Sequence, residues 1–575
     1  MHESIPRRLA SVAILAALLA GAPAIAAAAP RSPGNQVFQW AFSGACSAWP
    51  DGSTSKATGF LWIPEHCGRL RGLLILGTNV PEHTLVGHPA IRSACADKGL
   101  GIVWFVPTFW NFNTFATQAE GAKQAGGAAE AAWHRSLRDI HARFLQAMLD
   151  GLADVSGYDE VAAVPWLPLG ESAHLLMVTG LVDARPDRCI AAICIKNPQY
   201  PQDRTVPMLW TFGTGQEWGQ AKVDIRTEWR NVTGPYEGWS RGRSAARWPL
   251  SLSIEPGTGH FHCSDAMAEL FGRFIRAAVD ARLAPDGGHT LLPVDLDAGV
   301  VADLPVPGHA AGPPVPHAGA TADERRRPWF FDEATARLAQ QIAACDWDAE
   351  TRLPGFEAVA GCTVKPFSLN SVTDIDVVAD GEFAVRGVTL DRIPAGFVAA
   401  EAPLATAPGA PAIEWICGPI VPLGDGRFRI APDRTYPATT AYIAAILGAA
   451  DGRRTSLQPA RVKLLENRTG DRQTISFPPL PDVPVGTVSI PLVASADSEL
   501  PVGFAVESGP AIVEGDRLVF TGIPPRASFP LRVTVAAGQW GRATHPPVQT
   551  AAIVRRSFAI VKTTPAPQPA GDSTP

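Results

Sequence analysis

The sequence predicts an α/β fold over its first half, a largely parallel sheet with helices on both faces, followed by two β-sandwich modules. Three observations predict this. Between residues 37 and 283, strand-length apolar runs alternate with segments of helical periodicity. Strands that are apolar throughout and separated by helices are buried on both faces, which is the setting of a parallel sheet. Within that region an apolar run over 161–169 turns sharply at Gly170-Glu171-Ser172-Ala173-His174 and continues with Ala173, Leu176 and Met177 at helical spacing. Beyond residue 355 the segments become short, alternate with period two and are divided by Pro- and Gly-rich turns, the pattern of antiparallel sandwiches. A chain of 575 residues exceeds what one core accommodates, so several domains are expected.

The elements follow in order. Strands are expected at 37–42, 57–63, 72–76, 101–106, 161–169, 190–196, 207–212 and 248–254, with helices at 89–98, 130–152, 172–182 and 263–283. The second helix is the clearest: Ile140, Phe144, Leu145, Met148 and Leu152 share one face and charges take the other. Residues 284–328 are rich in Pro, Gly and Ala and read as linker. A helix at 332–342 with Asp332 as N-cap follows. The first β-module, spanning 329–466 with that helix, has strands at 372–378, 383–390, 412–417, 427–430 and 441–447. The second covers 467–562, and the Pro-rich stretch 563–575 reads as disordered tail.

Composition narrows the function. The formal charge of -6 offers no basic surface for nucleic acid, and 18% charged residues describe a weakly polar globular protein. The start resembles a secretory leader: Arg7 and Arg8, an apolar core over 9–19, and small residues with a cleavage option near Ala28. Gly21 and Pro23 make that core a poor membrane anchor, so 1–29 is expected to be removed and the protein to be secreted or periplasmic. No later stretch is long and apolar enough to span a bilayer. Nine cysteines follow the leader; export permits oxidation, with Cys46–Cys67 and Cys345–Cys362 as local pairs. No Cys or His spacing suits zinc, and neither metal nor cofactor is expected.

The stretch that carries chemistry is Gly170-Glu171-Ser172-Ala173-His174. A serine on a strand-to-helix turn resembles the nucleophile elbow of the α/β-hydrolase superfamily, and residues 37–283 show that superfamily's element order, two leading strands and then strand–helix alternation. The usual motif is G-x-S-x-G, and His174 departs from it at the last glycine. The resemblance implies a Ser–acid–His triad in that chain order. Ser172 would be the nucleophile. The histidine is expected on the glycine-rich turn Gly257-Thr258-Gly259-His260 after the last strand, with His260 favoured over His262. The acid should follow the strand at 207–212, where Glu217 is favoured and Asp224 is the fallback. The oxyanion hole would use the backbone N–H of Ala173 and one from Thr78 or Asn79. Glu82 and His83 either line the cleft or face solvent. Trp104, Phe105, Phe109, Trp110, Phe112, Phe115 and Trp218 lie along elements expected near the cleft mouth, as core or as stacking surface.

These readings imply a secreted serine hydrolase (30–283) cleaving carboxylic esters through an acyl-enzyme, with a C-terminal module that resembles bacterial immunoglobulin-like repeats. Export and appended sandwiches suit a polymeric ester such as an acylated polysaccharide or polyester. The alternatives are a non-catalytic binding or surface protein on a hydrolase scaffold, and a peptidase or acyltransferase of the same fold.

Overall fold

The computed structural model describes residues 36–46, 55–107, 127–196, 200–215, 247–285, 288–366, 372–378, 380–406, 409–434, 440–449 and 454–562, and the single positions 226, 239, 240 and 243. The leader expected over 1–29 and the tail from 563 lie outside them.

Eight strands form the N-terminal sheet: β1 (Trp40–Cys46), β2 (Ser55–Trp62), β3 (Gly72–Leu76), β4 (Leu100–Val106), β5 (Trp166–Glu171), β6 (Ala192–Ile195), β7 (Met208–Gly213) and β8 (Leu250–Glu255). Their order is β1-β2-β4-β3-β5-β6-β7-β8. β2 runs antiparallel to β1 and β4, and every pairing from β4 to β8 is parallel. This is the arrangement of an α/β-hydrolase sheet. Every residue of β3, β5, β6, β7 and β8 is buried, as the unbroken apolar runs require.

The helices are α1 (Val80–Leu85), α2 (Pro89–Lys98), α3 (Gly127–Ser156), α4 (Leu175–Ala184) and α5 (Asp265–Arg282). The apolar face expected on α3 is the buried one: Ile140, Phe144, Leu145, Met148 and Leu152 all join the core. Several boundaries differ from expectation, two of them at the start of a strand. The run at 161–169 begins as a 3₁₀ turn, Asp159–Ala162, before the strand starts at Trp166. The first strand begins at Trp40, and Phe38 instead bridges to Gly509 near the far end of the chain.

The expected linker is not a linker. Within 284–328 the structure places β9 (Val300–Val301) and β10 (Val315–Pro316), which with β11 (Trp329–Phe330) form a three-stranded sheet in the order β10-β9-β11. Pro and Gly set the turns, but apolar residues between them are interior: Val301, Ala302, Leu304 and Ala320 are all buried. The Ser251 hydroxyl of β8 donates to the Trp329 carbonyl, fastening this sheet to the edge of the large one. α6 (Glu333–Ala343) then packs on β8, capped as expected by the Asp332 carboxylate, which accepts from Thr335 N at 2.7 Å.

The first β-module contains β12 (Leu353–Ala360), β13 (Cys362–Val364), β14 (Thr373–Val377), β15 (Glu382–Leu390), β16 (Ala412–Cys417), β17 (Ile420–Gly424), β18 (Arg427–Ile430), β19 (Thr440–Leu447) and β20 (Ser456–Leu464). They make two sheets, β12-β15-β18-β17 and β13-β14-β20-β19-β16, that share one apolar cluster including Phe356, Phe383, Phe428, Ile443 and Val462. The last module has a four-stranded sheet of Val483–Pro484, Val554–Val561, Leu531–Gly538 and Gly503–Ser508, and a three-stranded one of Ser489–Pro491, Arg517–Phe520 and Ala511–Glu514. Its inner residues Phe477, Val506, Val533 and Phe558 belong to the same continuous cluster as the core of the N-terminal sheet.

The two cysteine pairs do not form, because Cys67 and Cys362 carry free thiols. Cys345 follows α6 on the hydrolase sheet, whereas Cys362 lies in β13 of the first module and donates to Ala384 O. Cys67 donates to Arg69 O at 3.2 Å.

Candidate active site

The site is built where β5 ends. Ser172 opens a 3₁₀ turn, Ser172–His174, that leads directly into α4. Its φ is +52°, a left-handed conformation that costs a non-glycine residue roughly 1–2 kcal/mol and marks positions held for a purpose. The close approach in this turn falls at Gly170, where an added Cβ would lie 2.8 Å from Val178 Cγ2 on α4. The glycine that matters sterically is therefore the first of the motif, and position 174 has room for a side chain.

That side chain has a task. His174 Nδ1 lies 2.8 and 2.9 Å from the two carboxylate oxygens of Glu82. Glu82 is wholly buried and also accepts from Glu171 N at 2.7 Å and from Asn79 N at 3.3 Å. Asn79 in turn caps α1 through its side-chain oxygen and donates Nδ2 to Glu171 O at 3.2 Å. One buried carboxylate thus ties the loop after β3 to the nucleophile turn. Of the two places expected for Glu82, cleft or solvent, its burial excludes solvent. The signal was present in Asn79-Val80-Pro81-Glu82, a capping box with proline in the first helical turn. Glu82→Gln should lower unfolding free energy by about 1.5–3 kcal/mol, because charge-assisted bonds to buried N–H groups are lost. A urea unfolding midpoint equal to that of the unmodified chain would show that Glu82 does not staple the turn.

The histidine comes from the turn after β8. His260 Nε2 lies 2.7 Å from Ser172 Oγ, so the structure brings together the two residues singled out as nucleophile and base. The turn is anchored from inside. Thr258 Oγ1 accepts from the buried Lys196 Nζ at 2.9 Å and sits 3.1 Å from both the backbone and a carboxylate oxygen of Glu255. Thr214 Oγ1 accepts from Gly257 N at 2.8 Å, and Gly215 N donates to Thr258 O at 2.9 Å. Lys196 holds a left-handed φ of +60° at the end of β6, so two strand ends around the site carry unusual backbone.

A carboxylate that the sequence reading did not consider also meets the histidine. Glu171 Oε1, with no solvent exposure, lies 3.1 Å from His260 Nε2. Glu171 occupies the unspecified position before the nucleophile, where motif spacing gives no hint of side-chain direction.

Glu217 and Asp224, the two acids weighed as partners for His260, lie outside the described residues, as do Trp218, Phe109, Trp110, Phe112 and Phe115. Trp104 and Phe105 are core residues, and Trp104 Nε1 donates to Gly77 O at 2.6 Å, fixing the loop that carries Thr78 and Asn79. The Asn79 N–H is directed at Glu82, 3.3 Å away. His83 packs against Trp104 with ring centroids 5.1 Å apart; burial, aided by the Arg434 charge, lowers its pKa to about 4. It therefore stays neutral at ordinary pH. Among the described residues no group of three His, Cys, Asp or Glu is placed to hold a metal ion, and no helix is long and apolar enough to cross a membrane.

The chain matches no family model and no curated protein. Solved structures similar to it include the siderophore hydrolase from Aspergillus nidulans, 12% identical, covering 43% of this chain and 94% of its own with a TM-score of 0.27. A poly(3-hydroxybutyrate) depolymerase from Bordetella parapertussis is 14% identical, over 41% and 89% of the respective chains, with a TM-score of 0.25. An α/β serine hydrolase homologue from Coxiella burnetii is 11% identical, over 41% and 95%, with a TM-score of 0.24.

Proposed function

We propose that the chain is an exported serine hydrolase that cleaves carboxylic esters through an acyl-enzyme. One observation carries the reading: Ser172 Oγ, raised on left-handed backbone at the β5–α4 turn, sits 2.7 Å from His260 Nε2. A serine hydroxyl is a weak nucleophile until a positioned base takes its proton. In this reading Ser172 attacks the ester carbonyl while its proton passes to His260 Nε2. The proton then goes to the departing alkoxide, and the alcohol leaves. Water, deprotonated by the same nitrogen, attacks the acyl-enzyme, and the carboxylic acid departs as the Ser172 hydroxyl is restored. The N–H groups of Ala173 and Thr78 receive the oxyanion. Glu217 is the acid assigned to orient the imidazole, with Asp224 as the alternative. Glu171 supports the imidazolium from the near side.

The leader composition supports export, and the appended sheets, the last of immunoglobulin-like pattern, suit a polymeric ester. The test is a fluorophosphonate probe on the purified protein, followed by mapping of the labelled peptide. Covalent label on Ser172 is expected. A protein that stays unlabelled while folded belongs to the binding class, without catalysis. Among labelled variants, Glu217→Gln should lose about 10⁴-fold in turnover with KM nearly unchanged, and Asp224→Asn should be nearly silent. The reverse pattern would move the acid to Asp224.

A further inference from the structure

The turn that carries His260 is held from both sides, and the second side belongs to another module. Leu457 N, on the face of β20 turned away from the first module's core, donates to Gly257 O at 3.0 Å. Gly257 has a φ of +72°, and a Cβ there would collide with the Thr455 carbonyl, so the two backbones touch directly. Phe261, the residue after the histidine, leaves the hydrolase surface and enters a small apolar cluster formed with Ile416, Ala444 and Leu457 of the first module and Val80 of α1. Its ring stands 4.8 Å from the His260 ring, edge to face, and 5.9 Å from that of Tyr442 on β19. A third fastening is Thr84 Oγ1, which donates to Ile416 O at 3.3 Å as well as to its own helix. Tyr442 also lies within the field of the Glu171 carboxylate; burial, mainly, lifts its hydroxyl to a pKa of about 12, and the nearby anion adds to this.

We propose that the first β-module is a positioning element of the catalytic site, in which β20 and the pocket for Phe261 hold the His260 turn in register with Ser172. Resting on the serine hydrolase reading, this gives the module a task beyond spacing or attachment. The physical argument is one of tolerance. The glycines at 257 and 259 make the turn conformationally permissive. Anchors on the hydrolase side hold Thr258, and the first β-module holds the turn at its start, through the Leu457 bond to Gly257, and just after His260, through the Phe261 pocket. A base displaced by about 1 Å from its nucleophile loses on the order of 100-fold in rate.

The experiment uses the full chain with Leu457→Pro, which deletes the one N–H donor while keeping an apolar ring in place, and with Phe261→Ala and Phe261→Leu. Active sites are counted by fluorophosphonate titration, and ester turnover is expressed per titrated site. Leu457→Pro and Phe261→Ala should each lower turnover per site by about 10- to 100-fold with KM little changed, and Phe261→Leu should restore most of it. A module that contributes only to folding would give fewer titratable sites, each turning over at the normal rate, and that result overturns the proposal. If Leu457→Pro fails to fold, the Phe261 pair decides alone. Labelling of the unmodified protein at Ser172 is the prior check: its absence defeats the hydrolase reading, whereas normal labelling with unaltered turnover per site in the variants defeats only the positioning role.

Discussion

Ser172→Ala is expected to reduce ester turnover by on the order of 10⁶-fold, the scale on which serine hydrolases lose activity when the nucleophile is removed. Stability should barely change, because alanine in the same left-handed conformation bears the same backbone cost. Ser172→Gly separates the two effects. Glycine adopts positive φ without the Cβ clash, so this variant should be as inactive as the alanine one yet more stable by roughly 1–2 kcal/mol. Turnover and urea denaturation on the same three proteins check both halves. If glycine is no more stable than alanine, the turn is not strained in solution. If alanine retains turnover, Ser172 is not the nucleophile.

The second large effect concerns truncation. A chain of residues 30–327, cut where composition suggests a linker, is expected to be insoluble or unfolded. The cut removes β11 and α6, which cover β8 at the edge of the large sheet. It also removes the surfaces that seat Phe38 and Tyr158: Gly509 N donates to Phe38 O at 2.9 Å, and Arg526 pairs with Glu160 at 2.7 Å while its guanidinium lies 4.8 Å from the Tyr158 ring centre. The Arg434 guanidinium packs over both Phe38 and Phe60. Each Å² of apolar surface uncovered costs about 25 cal/mol, against a net stability of only about 5–15 kcal/mol for an ordinary domain. A chain of 30–562 should match the full chain in solubility and melting temperature. Soluble, cooperatively unfolding 30–327 would show that the modules rest on the core without supporting it.

The sheet was legible because burial on both faces writes itself into uninterrupted apolar runs, as in Leu73-Leu74-Ile75-Leu76. The nucleophile turn and the His260 turn were legible because each needs glycine at a fixed place. Three things were not. The packing of 284–328 depends on Val301 and Trp329, scattered among prolines that dominate local composition. The role of Glu82 depends on three donors from two loops, of which only the short capping box is local in sequence. The clamp by Leu457 depends on which way one strand faces relative to a distant turn, and no periodicity encodes that.

The hydrogen bond between Gly257 and Leu457 also has a bearing on when the protein can first act. A base whose turn is completed by β20 is not in place while only the hydrolase half has been synthesised. Closing so long a loop is among the slower events of folding, since the chain entropy must be lost before the contact forms. A nascent or partly folded chain would therefore hold its serine beside an imidazole not yet aligned with it. On the serine hydrolase reading, the order of elements along the polypeptide would act as a delay, keeping hydrolysis silent until nearly the whole molecule has been assembled.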